Sequence, residues 1–145
     1  MKKFLLMLTA LVAMSGQAFA RDKVTRDVNV LPQPAKTMLT RYFTQTGVNH
    51  IKIDKSVLGN DYEVVLNDGT ELDFDKNGNL KEIDTGRAGV PDGLVMKSIR
   101  DYVASNYPGQ KIVNMDIERG GYDIELANGT DLVFDRAGNF KRIDY

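Results

Sequence analysis

Polar and apolar residues alternate along most of this chain, broken by two stretches of helical period. In the first stretch Ala35, Met38, Leu39, Tyr42 and Phe43 fall at i, i+3, i+4, i+7 and i+8, one apolar stripe on a helix. Pro32 and Pro34 suit its start, and Gly47 stands where a left-handed cap would end it. The second stretch, Val95, Ile99, Tyr102 and Val103, follows Pro91-Asp92 and stops before Pro108-Gly109. At this spacing the aromatic residues are read as core rather than as ligand contacts. Each helix is followed by strand patterns. Ile51 and Ile53 alternate with Lys52 and Asp54, and Val113, Met115 and Ile117 with Asn114, Asp116 and Glu118. Tyr62, Val64 and Leu66 then share one face, as do Leu72 and Phe74. Leu80 and Ile83, three apart, break strict alternation and imply a bulge.

Parity sets the turns. A two-residue loop at Asp68-Gly69 would place inward Leu66 against outward Glu71, which a pleated pair forbids. A three-residue loop, Asn67-Asp68-Gly69, places Val64 opposite Leu72 and Tyr62 opposite Phe74, with a left-handed glycine closing a type I turn. The same rule at Lys76-Asn77-Gly78 places Phe74 opposite Leu80 and Asp73 opposite Lys81.

The pattern is written twice. Shifted by 60 positions, Tyr62–Asp84 lies on Tyr122–Asp144 with 12 of 23 residues identical, including both turn glycines, Gly129 and Gly138 in the second copy. One residue is dropped between Ile112 and Tyr122 in the second copy. The expected fold is α+β, a tandem duplication of a helix followed by a four-stranded antiparallel meander. The units are residues 30–86 and 87–145, preceded by an extension over 21–29. About 55 residues bury too little surface to be stable alone. The two meanders are therefore expected to join edge to edge or pack closely, with both helices on one face and the other face solvated. Two copies are too few for a propeller or solenoid.

Residues 1–20 read as an address. Lys2 and Lys3 precede an apolar run, Phe4 to Met14, and Ala18-Phe19-Ala20 ends it as a secretory signal peptide would. The run is shorter than the roughly 20 residues that span a bilayer. Arg21 rather than Cys follows the expected cut, which excludes lipid attachment there and implies no membrane insertion after cleavage. The protein is expected to work outside the cytoplasm.

Composition narrows the chemistry. The 145 residues carry 19 Lys and Arg against 20 Asp and Glu, with no cysteine and one histidine. Near-neutral charge argues against a nucleic-acid partner. The missing cysteines exclude disulfides, thiolate metal sites and a cysteine nucleophile. His50 sits at a helix–strand junction with no counterpart in the second copy, so it reads as a solvated loop histidine rather than a catalytic base. No enzyme activity and no cofactor are expected.

Two surfaces merit attention. Asp73, Asp75, Asn77 and Asp84, with Gly78, match the spacing of a calcium loop. The flanks are strands, however, the turn chemistry already explains Asp75 and Gly78, and the second copy replaces two ligands with Val133 and Ala137. Asn128-Gly129-Thr130 matches a glycosylation sequon but belongs to one of the turns. The second surface is the outward strand face, exposing Glu63, Val65, Glu71 and Asp73 in one copy and Asp123, Glu125, Asp131 and Val133 in the other. The register sets Glu63 against Asp73 and Glu125 against Asp131, like charges directly opposite. On so exposed a face nothing is expected to raise a carboxyl pKa. This face is the candidate interface for a protein or peptide with basic or polar groups.

The duplicated segments YEVVLNDGTELDFDKNGNLKEID and YDIELANGTDLVFDRAGNFKRID, after a secretory signal, resemble the PepSY-like family of β-lactamase-inhibitor-like periplasmic proteins. The resemblance covers about residues 30–145. Leu80 and Phe140 stand where the family often has Trp. The resemblance implies tandem α/β units with a curved antiparallel sheet, helices on one side and a periplasmic location, and supplies no established activity. The signal peptide, the duplicated scaffold and the missing catalytic constellation point instead to a non-enzymatic, inhibitor-like binding module. The β-lactamase inhibitor itself binds its enzyme through the concave sheet face but carries disulfides, which this chain lacks, so that partner is a fold-level analogy.

Overall fold

The computed structural model describes residues 22–145, so the expected signal peptide lies outside the described residues. The chain opens with β1 (Lys23–Thr25), a 3-10 turn (Val28–Val30) and α1 (Gln33–Tyr42). Strands β2 (Val48–Ser56), β3 (Gly59–Leu66), β4 (Glu71–Phe74) and β5 (Leu80–Asp84) follow. A second 3-10 turn (Asp92–Leu94) leads into α2 (Lys97–Asn106). Strands β6 (Ile112–Glu118), β7 (Gly121–Leu126), β8 (Asp131–Asp135) and β9 (Phe140–Asp144) complete the fold.

All nine strands form one antiparallel sheet in sequence order. This corrects the expected α+β tandem of two helix-plus-four-strand units. The N-terminal residues add β1 to β2, and β5 pairs with β6 through Glu82–Asp116, Ile83–Met115 and Asp84–Asn114. The physical reason is the edge of each meander. Left apart, β5 and β6 would each present a row of unpaired N–H and C=O groups, and pairing removes both edges at once. The two helices are short, ten residues each, against this continuous sheet.

A single core runs along one face. Ile51, Val64, Leu72, Ile83, Met115, Ile124, Leu132 and Ile143 stand directly opposite one another from β2 to β9. Ala35 and Leu39 of α1 and Ile99 and Val103 of α2 pack into the same buried cluster, so both helices cover the same face. Tyr102 of α2 stacks on Phe140 with ring centroids 4.5 Å apart and meets Phe134 edge-on at 5.4 Å.

The turns follow parity. Leu66 N–H donates to Thr70 O at 2.8 Å, Gly69 has φ +90°, and Val64 pairs with Leu72 and Tyr62 with Phe74. Gly129 repeats this at φ +87°, with Asn128 Oδ1 accepting from Thr130 N–H at 3.0 Å, so the sequon side chain is used inside a tight turn. Helix α1 ends differently from the expectation. Phe43 N–H caps it by donating to Leu39 O at 3.0 Å, and Gly47 is not among the left-handed glycines.

The bulge expected in β5 is present, and it moves a partner. The register slips between Asp73 and Phe74, so Phe74 faces Leu80 while Asp73 faces Glu82 rather than Lys81. The relation between the two hairpins also differs from a one-residue deletion. Ile53 pairs with Tyr62 across nine positions, whereas Ile117 pairs with the corresponding Tyr122 across five, leaving the β6–β7 hairpin four residues shorter.

Candidate binding face on the outer side of the sheet

Because strand residues alternate between faces, a fully antiparallel sheet in continuous register lines up its outward residues in rows. One row reads Lys52, Glu63, Asp73, Glu82, Asp116, Asp123, Val133 and Arg142, each directly opposite the next. Its neighbour reads His50, Val65, Glu71, Asp84, Asn114, Glu125, Asp131 and Asp144. Adjacent strands lie about 4.8 Å apart, so the five central carboxylates of the first row span about 19 Å.

All eight residues singled out from sequence fall on this face, but Val133, expected to be exposed, is buried at 7% exposure. Glu63, Asp73, Asp123 and Val133 belong to the first row, and Val65, Glu71, Glu125 and Asp131 to the second. Glu82, Asp84, Asp116 and Asn114 join them in the middle of the sheet. Sequence reasoning, which singled out Asp84 only for the calcium loop, did not place these four on the interface because they meet only through the β5–β6 pairing and the β5 bulge. The Leu80–Ile83 spacing signalled the bulge but not its consequence for Asp73.

Crowding changes the carboxylates. Burial beside its neighbours, with Glu63, Glu82 and Glu71 adding repulsion, pushes the Asp73 carboxyl up to about 7, against a weaker opposing pull from Lys81. Glu82, Asp116, Asp123 and Glu71 are raised too, each first by desolvation and then by nearby carboxylates. The expectation that nothing raises a pKa here fails because the face is wide enough for side chains to shield one another from water. Asn114 Nδ2 donates to Glu82 Oε1 at 3.5 Å. The lysines of this region are engaged at its border: Lys52 pairs with Asp22 at 3.3 Å and Lys81 with Asp61 at 3.6 Å.

Asp116, Glu118 and Asp123 converge, one carboxylate oxygen from each lying within 4.8 Å of the others. The calcium-loop residues are distributed otherwise. Asp73 and Asp84 stand on the sheet face, in separate rows. Asp75 Oδ1 accepts from the N–H groups of Asn77 and Asn79 at 2.8 and 2.9 Å, which holds its carboxyl below the usual range although burial opposes this. Asp84 Oδ1 accepts from Gly86 N–H at 2.8 Å. His50 is half-buried at the end of the second row, its Nδ1 2.8 Å from Asn49 Oδ1.

The profile of a family described as "Putative beta-lactamase-inhibitor-like, PepSY-like" matches residues 60–142, from β3 into β9. The chain belongs to the PepSY-like family. Among solved structures, this PepSY-like chain is similar to a "putative periplasmic protein of unknown function" from Bacteroides vulgatus, with 40% identity and a TM-score of 0.81 over 86% of this chain and 100% of the other. It is similar to a "putative calcium-regulated periplasmic protein" from Bacteroides thetaiotaomicron, with 32% identity and a TM-score of 0.80 over 86% and 97%. A third, a "putative periplasmic protein" from Bacteroides vulgatus, has 32% identity and a TM-score of 0.81 over 88% and 100%. No curated protein matches the chain. Like these relatives, the PepSY-like protein is periplasmic.

Proposed function

We propose that the protein is a non-enzymatic periplasmic binding module that uses the outer sheet face to capture the cationic groups of a protein or peptide. The observation that carries this reading is the row Glu63, Asp73, Glu82, Asp116 and Asp123, five carboxylates set directly opposite one another on neighbouring strands. Like charges in that position destabilise the free sheet, and a ligand ammonium or guanidinium between them relieves the repulsion. A tetralysine peptide titrated calorimetrically at pH 7.5 and low salt is expected to bind. The binding should weaken steeply with salt and disappear in the Glu63→Lys plus Asp116→Lys variant. A peptide that binds this variant as well as the wild type overturns the face assignment.

A second reading, a calcium site on the same face, is favoured by the relative described as calcium-regulated and by the convergence of Asp116, Glu118 and Asp123. Calcium takes six to eight oxygen ligands, which paired carboxylates supply. Calcium at 100 times its dissociation constant would add about 2.7 kcal/mol of stability, readily visible in thermal unfolding. The shift should reverse with EDTA and vanish in Asp116→Asn plus Asp123→Asn. Unchanged melting in millimolar calcium would leave the peptide reading alone.

A further inference from the structure

The second copy of the repeat departs from the first at one corner of the outer face. Matching the Ile53–Tyr62 pair to Ile117–Tyr122 sets Asp54 on Glu118, Asp61 on Gly121 and Glu63 on Asp123. The following strands set Asp73 on Val133, Lys81 on Lys141 and Glu82 on Arg142. Three of these positions change character, and each change removes a carboxylate. Gly121 stands for Asp61, Val133 for Asp73 and Arg142 for Glu82, on the adjacent strands β7, β8 and β9.

The loss of Asp61 has a direct counterpart to compare. In the first copy Lys81 reaches from β5 across β4 to the Asp61 carboxylate on β3, 3.6 Å away. Lys141 stands at the same place on β9, but the residue two strands away is Gly121. Both lysines act on the turn aspartate of their own copy, Asp75 or Asp135, and each of those carboxylates already accepts from two backbone N–H groups. The turns treat the two lysines alike, so the missing Asp61 is what separates them. The backbone cannot refill the gap. Gly121 has φ +146°, and a Cβ there would run into the carbonyl oxygen of Phe134.

A hollow of about 280 Å³ occupies this corner. Gly120 and Gly121 form its bare edge, and Lys141 and Arg142 border it on β9. Glu118, directly opposite Gly121, and Asp123 line it from β6 and β7, with Asp144 as a third carboxylate. Val133 lies between the two signs but is only 7% exposed, so the hollow offers a ligand almost no apolar surface. A purely cationic ligand would meet Lys141 and Arg142, and a purely anionic one Glu118 and Asp123. A small dipolar molecule satisfies both sides.

We propose that this hollow binds a small free α-amino acid, its carboxylate over Gly121 against Lys141 and Arg142, where the first copy has the Asp61 carboxylate, and its ammonium against Glu118 and Asp123. Charge-assisted hydrogen bonds at both ends supply the recognition, and the covered Val133 favours a short side chain. Ion contacts open to water are weak, so the dissociation constant is on the order of 1 mM. The site is independent of the peptide reading and shares only Asp123 with the carboxylate row.

Amide chemical shifts of the isotope-labelled protein, titrated with alanine at neutral pH from about 0.1 to 50 mM, bracket that constant. EDTA in the buffer keeps calcium from Glu118 and Asp123. Saturable shifts are expected at Gly120, Gly121, Asp123 and Lys141. N-acetylalanine keeps only the carboxylate and alaninamide only the ammonium, and each is expected to bind at least roughly tenfold more weakly. Lys141→Gln and Glu118→Gln, both at exposed positions, should weaken alanine binding by about the same factor with the rest of the spectrum intact. Lys81→Gln, at the matching place in the first copy, should leave it unchanged. Alanine that gives no saturable shift by about 50 mM overturns the proposal. N-acetylalanine or alaninamide binding as tightly as alanine overturns it too, because the hollow would then be a simple anion or cation site. Affinity that survives both Lys141→Gln and Glu118→Gln, or falls equally in Lys81→Gln, overturns the placement.

Discussion

Asp73 carries the strain of the acidic face most directly. Its carboxyl is partly buried between β3 and β5, opposite Glu63 on one side and Glu82 on the other, while Lys81, the cation pulling against them, is paired with Asp61. With its pKa raised from 3.8 to about 7, the folded protein holds this proton more tightly than the unfolded chain. Between those two values the native state binds more protons, so its contribution to stability is full below the unfolded pKa and is lost as pH rises towards 7. Asp73→Asn removes the charge and keeps the shape. The variant is expected to melt a few degrees above the wild type at pH 8 and to match it at pH 4, by calorimetry at both pH values. Equal melting temperatures at pH 8 would mean that Asp73 ionises without cost and that the row is well solvated.

Among the elements, two glycines of positive φ separate a turn requirement from a packing requirement. Gly69 has φ +90° with nothing within 4 Å of an added Cβ, so Gly69→Ala meets only the left-handed penalty, about 1–2 kcal/mol. Gly121 has φ +146°, and its Cβ would be driven into the β8 backbone. Gly121→Ala is therefore expected to lose several-fold more stability in urea unfolding, or not to fold, while Gly69→Ala folds. The same contrast explains what could be read ahead of the structure. Gly69 and Gly129 were legible because parity across a three-residue turn depends on a few neighbouring residues. The outward positions of Glu63, Asp73, Glu125 and Asp131 followed from the same local rule. Glu82 opposite Asp73 was not legible, since the side of the ladder on which a bulge slips is decided by packing of Leu80 and Ile83 against the core. Nor was the Glu82–Asp116 contact, which joins residues 34 positions apart through a strand pairing with no turn to announce it.

For the whole molecule, that strand pairing makes one cooperative unit out of a repeated pattern. Ile83 and Met115, both fully buried, sit opposite each other at the junction, and the row they belong to runs unbroken from Ile51 to Ile143. Cutting the chain in the Gly86–Gly89 segment would expose the partner edges of β5 and β6 and open the middle of the core to water. Each piece would then be a domain of roughly 60 residues, near the lower limit for folding without a staple, and it would also have lost its central neighbour. The fragments 22–86 and 87–145 are accordingly expected to give the circular dichroism of unfolded chains when made separately. The intact protein should unfold in urea in a single transition, with tyrosine fluorescence and far-ultraviolet circular dichroism superimposing. Two separated transitions, or a fragment with native-like strand signal, would show that the β5–β6 contact is an association between independent halves. A single transition would instead tie both ends of the carboxylate row to one folding equilibrium. Charge added or neutralised at Glu63 would then alter the stability of Asp123, four strands away, along with that of the whole sheet.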